Sequence, residues 1–292
     1  MSVGDVVKVI WQHPANQRSR IGALAKAVGW QVYKRTIRKP FTISAFGGKF
    51  RLHPDSHDAG RMIYFNTEID PQEMAFLRRY LRPGDNVIDA GANVGIYTVF
   101  CAALIGDGRI LAFEPDPTNG DRLRENITLN RLNNVTVRQS AISDYIGTAD
   151  FTQGADSGNA LYSLKTYDRP PQTVEITTLD KEIGADTYQL CKMDVEGAEW
   201  AAFKGTAESL ARNNPPVWLV ELSERITARA GGSVQGIEEW LKERGYSLWR
   251  YAPKDNELIP FVSGPRRLGY AGDGIAIADA KLDWVKTRLE EA

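Results

Sequence analysis

The run Val87-Ile88-Asp89-Ala90-Gly91-Ala92-Asn93-Val94-Gly95-Ile96-Tyr97-Thr98 constrains this chain more than any other stretch. A short apolar strand ends in an acid, passes through a glycine-rich turn and enters a helix, whose first backbone N–H groups then point out from the carboxyl edge of a sheet. Gly91 and Gly95 carry no Cβ, so a ligand can come close to the main chain there. Nineteen residues after Gly95 the next apolar run, Arg109 to Phe113, ends in Glu114-Pro115. A carboxylate in that place accepts hydrogen bonds from a ribose diol. Together the two features predict a nucleoside-containing cofactor in a doubly wound α/β fold.

Details of the turn select the cofactor. NAD sites use G-x-G-x-x-G to seat a pyrophosphate on the helix N-terminus. Here Asn93 stands at the second glycine and position 96 is Ile96. Asp89 would repel a pyrophosphate and attract the ammonium of a methionine moiety. S-adenosylmethionine carries that ammonium and a sulfonium and has no phosphate, so it suits an acid-rich pocket. A bare turn-capping role for Asp89 is the simpler alternative, but it leaves Glu114, in register beside it, without a reason.

Short apolar runs separated by amphipathic segments continue on both sides, the pattern of a parallel sheet covered on both faces. Val87 to Asp89, Arg109 to Phe113, Val135 to Val137, Tyr188 to Met193 and Val217 to Leu222 read as strands one to five. Helices are expected at Gly95 to Leu104, Pro117 to Leu132, Glu199 to Ala211 and Val234 to Arg244. Ser247 to Tyr251 and Gly274 to Ala278 complete the sheet. Ahead of it, residues 1–69 form an extension: helical to about residue 40, then a β-hairpin of Phe41 to Leu52 turning at Gly47-Gly48. Asp70-Pro71 opens a helix to Leu81. Residues 70–292 form the main domain, and the polar, β-rich segment 147–178 reads as an inserted hairpin or flap.

With these elements in place, Asp89-Ala90-Gly91-Ala92-Asn93-Val94-Gly95, Phe113-Glu114-Pro115, Ala141-Ile142-Ser143-Asp144 and Lys192-Met193-Asp194-Val195-Glu196-Gly197-Ala198-Glu199 resemble the FkbM family of methyltransferases, from about Asp70 to Tyr251. The resemblance implies a class I, Rossmann-like fold with a seven-stranded mixed sheet in order 3-2-1-4-5-7-6. It also implies O-methylation of sugars or natural products. Carried over by position, Asp89, Gly91, Asn93 and Gly95, with Tyr97, Thr98 and Asp194, surround the methionine part of the cofactor. Glu114 and Pro115 meet its ribose, Ser140, Ala141 and Ile142 its adenine, and Glu68 stands where the family often has an acid near the cofactor.

A second acidic group follows strand four. Asp194 and Glu196 lie two apart, so in an extended chain they share a face, and Glu221 closes the neighbouring strand roughly 4.8 Å away. These three are the expected catalytic residues. One carboxylate would act as general base on the acceptor hydroxyl; alternatively the group would hold Mg²⁺ as a Lewis acid. Glu199 reads as the first turn of the next helix, where an acid favours the dipole. No metal ligand is assigned. His53 and His57 read as surface residues, Cys101 and Cys191 as small core residues. Asn214-Pro215-Pro216-Val217 imitates the N-P-P loop of amide methyltransferases but precedes strand five, so it reads as a turn.

Charge adds one further constraint. Residues 1–40 contain eight Lys or Arg and one acid, Asp5, giving +7 against −8 for the remainder. Such a run is most often a solvated helical face; it also suits peripheral contact with anionic lipid or a phosphate-bearing substrate. No stretch reaches the roughly 18 apolar residues of a spanning helix and the start lacks a signal-peptide core, so a cytoplasmic protein is expected. The expected partner is a saccharide or small-molecule hydroxyl acceptor, with aromatic residues such as Tyr64, Phe65, Tyr162, Tyr167 and Trp249 available to stack on sugar faces. A pI near 6.4 without a basic, aromatic-laced groove argues against nucleic acid. An RNA or protein methyltransferase and an inactive cofactor-binding module are the competing readings. The sequence leaves the oligomeric state open.

Overall fold

The computed structural model describes residues 3–13, 16–17, 19–55, 70–151, 171–228, 232–262 and 273–291. Glu68, His57, Tyr64, Phe65, Tyr162 and Tyr167 lie outside them, as does the middle of the expected flap, residues 152–170.

Helices α1 (Val3–Gln12) and α2 (Arg20–Thr36) lead into a hairpin of β1 (Phe41–Ala45) and β2 (Gly48–Leu52). Alternating Phe41, Ile43 and Ala45 are half-buried with exposed residues between, as period-2 patterning requires. α3 (Pro71–Tyr80) starts with proline in its first turn, where a missing N–H costs nothing.

The doubly wound part then alternates β3 (Val87–Ala90), α4 (Ile96–Ile105), β4 (Ile110–Phe113), α5 (Pro117–Leu129) and β5 (Val135–Arg138). A small sheet of β6 (Ser140–Ile142), β7 (Gly147–Phe151) and β8 (Gln172–Thr177) follows, in order β6-β8-β7. The chain returns through α6 (Leu179–Ile183), β9 (Leu190–Met193), α7 (Glu199–Lys204), α8 (Ala207–Ala211) and β10 (Val217–Glu221). It ends with α9 (Glu224–Thr227), α10 (Val234–Lys242), β11 (Tyr246–Ala252), β12 (Glu257–Pro260), β13 (Asp273–Ala278) and α11 (Leu282–Glu290).

The large sheet runs β12-β11-β13-β10-β9-β3-β4-β5. β5, β4, β3, β9 and β10 are parallel, and β13 is antiparallel to both β10 and β11. This is the expected 3-2-1-4-5-7-6 order with a correction: an eighth strand, β12, pairs antiparallel on the outer edge of β11. Strands β3, β4 and β9 are buried at every position, because helices cover both faces. One face packs Phe76, Leu77 and Ile105 together with Trp30, Phe50 and Leu52 from the amino-terminal elements. The other packs Phe203, Trp218, Ile237 and Leu241.

Two further expectations change in detail. The single helix expected over Glu199 to Ala211 is broken at Gly205-Thr206, where glycine is required because a Cβ at Gly205 would lie 2.2 Å from the Ser143 carbonyl oxygen. His53 is half-buried rather than solvated, its Nε2 2.7 Å from Glu125 of α5. Cys101 and Cys191 are buried and free. Asn214-Pro215 is a turn at the amino end of β10, where Asn214 Oδ1 accepts from the Tyr188 N–H and the Pro215 carbonyl accepts from Trp218 and Tyr246.

Candidate active site

Between β3 and β9 the sheet changes winding direction, and the carboxyl ends of these strands frame a crevice of the kind that binds ligands in doubly wound folds. Its first wall is the turn after β3. Gly91 (φ 84°), Asn93 (φ 51°) and Gly95 (φ 90°) are left-handed, which folds the turn tightly enough for the Gly91 and Ala92 N–H groups to donate to the Phe113 carbonyl. A Cβ on Gly91 would lie 1.9 Å from the Asp194 carbonyl oxygen. Glycine is therefore required by contact between the two loops as well as by backbone conformation.

Asp89 and Glu114 stand on either side of this turn, both buried. Asp89 Oδ2 accepts from Thr98 Oγ1 at 2.6 Å, while Oδ1 is buried without a hydrogen-bond partner. Glu114 Oε2 accepts from the Asn93 N–H at 2.8 Å and Oε1 from the Asp116 N–H at 2.9 Å. Each oxygen keeps a further lone pair. Asn93 Oδ1 is likewise buried without a partner. Ser140, Ala141 and Ile142 form β6, buried and close to β4, so the expected adenine-side residues do stand beside the Glu114 strand. Half-buried Pro115 joins Glu114 to Asp116, which caps α5 by accepting from the Asn119 N–H.

The second wall follows β9. The extended geometry expected through Asp194 and Glu196 is corrected: the strand stops at Met193, and Glu196 (φ 55°) and Gly197 (φ 101°) turn left-handed. Glu196 therefore does not share a strand face with Asp194. The carboxylates that converge are Asp194, Glu199 and Glu221, with one oxygen from each within 4.8 Å of the others. That spacing would allow a divalent cation to be shared. Glu199 Oε1 accepts from the Val195 and Gly197 N–H groups, both at 3.1 Å, so it shapes the loop from within. Asp194 is more open, with 40% of its side chain exposed.

Lys192, to which sequence reasoning gave no role, links the walls. It pairs across the sheet with Asp89, its Nζ lies 3.0 Å from Asp194 Oδ2 and it stands 4.7 Å over the Tyr97 ring. Tyr97 in turn donates to Asp70 at 2.9 Å. A lysine inside the apolar run Leu190-Cys191-Lys192-Met193 was the available signal, since buried lysines occur almost only with partners.

Burial pushes Glu114 up to about 8 and Glu199 up to about 7; Glu73 also rises to about 7, by burial first and then by repulsion from Asp70. Asp89 is raised by burial, against the pull of Lys192. A raised carboxyl keeps its proton when folded after the unfolded chain has lost it. Its stabilising effect is thus complete below about pH 4.3 and disappears as pH rises through the folded pKa. The melting temperature of the protein without cofactor should therefore carry a decline between about pH 5 and pH 8 that Glu114→Gln makes shallower at its upper end. Calorimetric melts of both proteins across that range provide the check; parallel curves would rule out a proton held by Glu114.

A doubly wound sheet of this order, with acids closing the two strands at its winding change, defines the Rossmann-like methyltransferase fold. The methyltransferase FkbM domain model matches residues 89–248, more than half of the chain, and the protein belongs to that family of methyltransferases. Methyltransferase sdnD of Sordaria araneosa is 28% identical over 214 residues, covering 59% of this chain and 79% of the relative. 2-O-methyltransferase NoeI of Sinorhizobium fredii is 29% identical over 151 residues, covering 45% of this chain and 61% of NoeI. Among solved structures, a SAM-dependent O-methyltransferase from Thermotoga maritima aligns with a TM-score of 0.40 and 16% identity, over 71% of this chain and 64% of that one.

The residues present fit adenosylmethionine. Its ammonium requires a buried acceptor, which Asp89 Oδ1 provides, and its ribose hydroxyls require acceptors such as the spare lone pairs of Glu114.

Proposed function

We propose that this chain is an S-adenosylmethionine-dependent O-methyltransferase that acts on a hydroxyl of a saccharide or a glycosylated or natural-product acceptor. The observation that carries the reading is the meeting of two acid sets at one sheet edge, Asp89 with Glu114 and Asp194 with Glu199 and Glu221. The first set suits the cofactor and the second suits the hydroxyl.

Adenosylmethionine, when bound, supplies an electrophilic methyl carbon on sulfonium. Asp89 would hold its ammonium, Glu114 its ribose, and Ser140, Ala141 and Ile142 its adenine. Asp194, half-exposed at the mouth, takes the acceptor's hydroxyl proton, and Lys192, its Nζ 3.0 Å away, aims that carboxylate. Glu199 holds the loop that carries Asp194, and Glu221 fills the third side. Because methyl transfer is a direct displacement, much of the acceleration comes from holding oxygen and methyl in line. The name of NoeI, a 2-O-methyltransferase, agrees with a hydroxyl acceptor. The 4.8 Å carboxylate spacing also supports a second reading, in which Mg²⁺ on the three acids lowers the hydroxyl pKa.

Calorimetric titration with adenosylmethionine and with NAD, followed by transfer of a labelled methyl group to a panel of saccharides with and without EDTA, tests the proposal. Saturable adenosylmethionine binding, no NAD binding and label in an alkali-stable ether are expected. A folded protein that does not bind adenosylmethionine, or that labels only RNA or protein, would refute it; EDTA-sensitive transfer would select the Mg²⁺ reading.

A further inference from the structure

Helix α2 is apolar on two opposite faces. Ala23 and Ala27 pack with Ile10 of α1, and Trp30 packs against Tyr33 and Phe41 of the hairpin. On the other side Ile21, Ala25, Val28 and Val32 follow i, i+4, i+7, i+11 spacing, which places them along one line of the helix. All four are exposed, Ile21 at 78%, Val28 at 65% and Val32 at 56%. The line does not end with the helix. Ile37 is exposed just beyond it, and Val7 and Trp11, one turn apart on α1, are exposed too. The Arg20 guanidinium lies 5.4 Å over the Trp11 ring, so the apolar residues of α1 adjoin the start of α2. Core packing accounts for the inner face of α2, and no contact among the described residues accounts for the outer one. Single exposed apolar residues are ordinary, but a continuous line of them marks a contact surface.

Charge selects what this surface contacts. Arg20, Lys26, Arg35, Arg38 and Lys39 are exposed along the same helix and its end, and residues 1–40 carry +7. A second copy of the chain would bring two such segments together and set like charges against each other. A nucleic acid would answer the cations and leave the Ile-Val line in water. An anionic bilayer answers both, with the apolar side chains at the acyl boundary and the cations among the lipid phosphates. We propose that α1 and α2 dock this protein reversibly on an anionic membrane surface through the Ile21-Val28-Val32 line and its lysine and arginine border. Docking is peripheral, since no described helix is long and apolar enough to cross a membrane. The hairpin transmits the attachment to the catalytic body: the Lys49 N–H donates to Asn130, which caps the end of α5, and the Arg51 N–H to Asn126 within α5, the helix that starts two residues after Glu114's neighbour Pro115.

Flotation of the full chain with phosphatidylcholine vesicles, alone and with about 30% phosphatidylglycerol, tests the proposal. Binding is expected to the anionic vesicles only and to weaken at least roughly tenfold in 0.5 M salt. The double variant Val28→Asp/Val32→Asp should lose at least about tenfold in vesicle affinity, and Arg35→Glu/Lys39→Glu a comparable amount. Both alter exposed residues, so unchanged circular dichroism and adenosylmethionine affinity would establish that the fold is intact. Absence of binding to anionic vesicles, or equal binding by wild type and both variants, overturns the proposal. A dimer seen by light scattering and dissolved by Val28→Asp/Val32→Asp also overturns it, by assigning the face to a second copy.

Discussion

Asp194→Asn should lower kcat for methyl transfer by about 10²–10⁴-fold, the range supplied by a positioned general base. The affinity for adenosylmethionine should change by less than about threefold, because the Asp194 backbone carbonyl that abuts Gly91 is untouched and the amide oxygen still accepts from Lys192. A base acts only as the hydroxyl proton leaves, so its removal falls on kcat and leaves binding alone. Glu196→Gln is the matched control. It removes a charge two residues away, but at a left-handed position outside the three converging carboxylates, and should cost no more than about threefold. Single-turnover rates at saturating cofactor separate the two. Equal losses would mean that net negative charge, not a placed carboxylate, assists the reaction; an unaffected Asp194→Asn would move the base to Glu221 or to the acceptor itself.

That comparison touches the point where sequence reasoning and structure part. The turn after β3 was legible because everything that determines it is local: Gly91 and Gly95 permit the left-handed conformations, and the apolar run before them can only be a buried strand. Glu114 was legible for a related reason, since one βαβ unit fixes how far along the chain the next strand end falls. The carboxylate trio was half legible. Asp194 and Glu221 close neighbouring strands, but Glu196 was placed by assuming that β9 stays extended for three residues longer than it does. Gly197 was the local sign of a turn, and Glu199 is positioned to accept the N–H groups that such a turn frees. Two misses have different origins. The break between α7 and α8 falls at Gly205, where Ser143, distant in sequence, comes too close for a Cβ, and β12 (Glu257–Pro260) folds back locally on β11 as a mostly exposed edge strand with no alternating apolar pattern to announce it.

Gly91→Ala is expected to destabilise the fold by about 2–5 kcal/mol, beyond an ordinary substitution. Two costs combine. At φ 84° any L-residue other than glycine pays roughly 1–2 kcal/mol in backbone energy. The new methyl would also lie 1.9 Å from the Asp194 carbonyl oxygen, and relieving that overlap forces the β3 and β9 loops apart at about 1–3 kcal/mol. Gly84→Ala isolates the first cost, because Gly84 has almost the same φ, 87°, and a methyl group there would meet no described atom within 4 Å. Urea unfolding of the two variants should place Gly84→Ala about 1–2 kcal/mol below wild type and Gly91→Ala about 1–3 kcal/mol lower still. Where Gly91→Ala remains folded, adenosylmethionine binding should be lost with stability, since the same displacement separates Asp89 from Asp194 across the crevice. Equal destabilisation of the two variants would mean that the loops yield freely at Gly91, and the close approach of β3 to β9 would then no longer explain why the site is built on glycine.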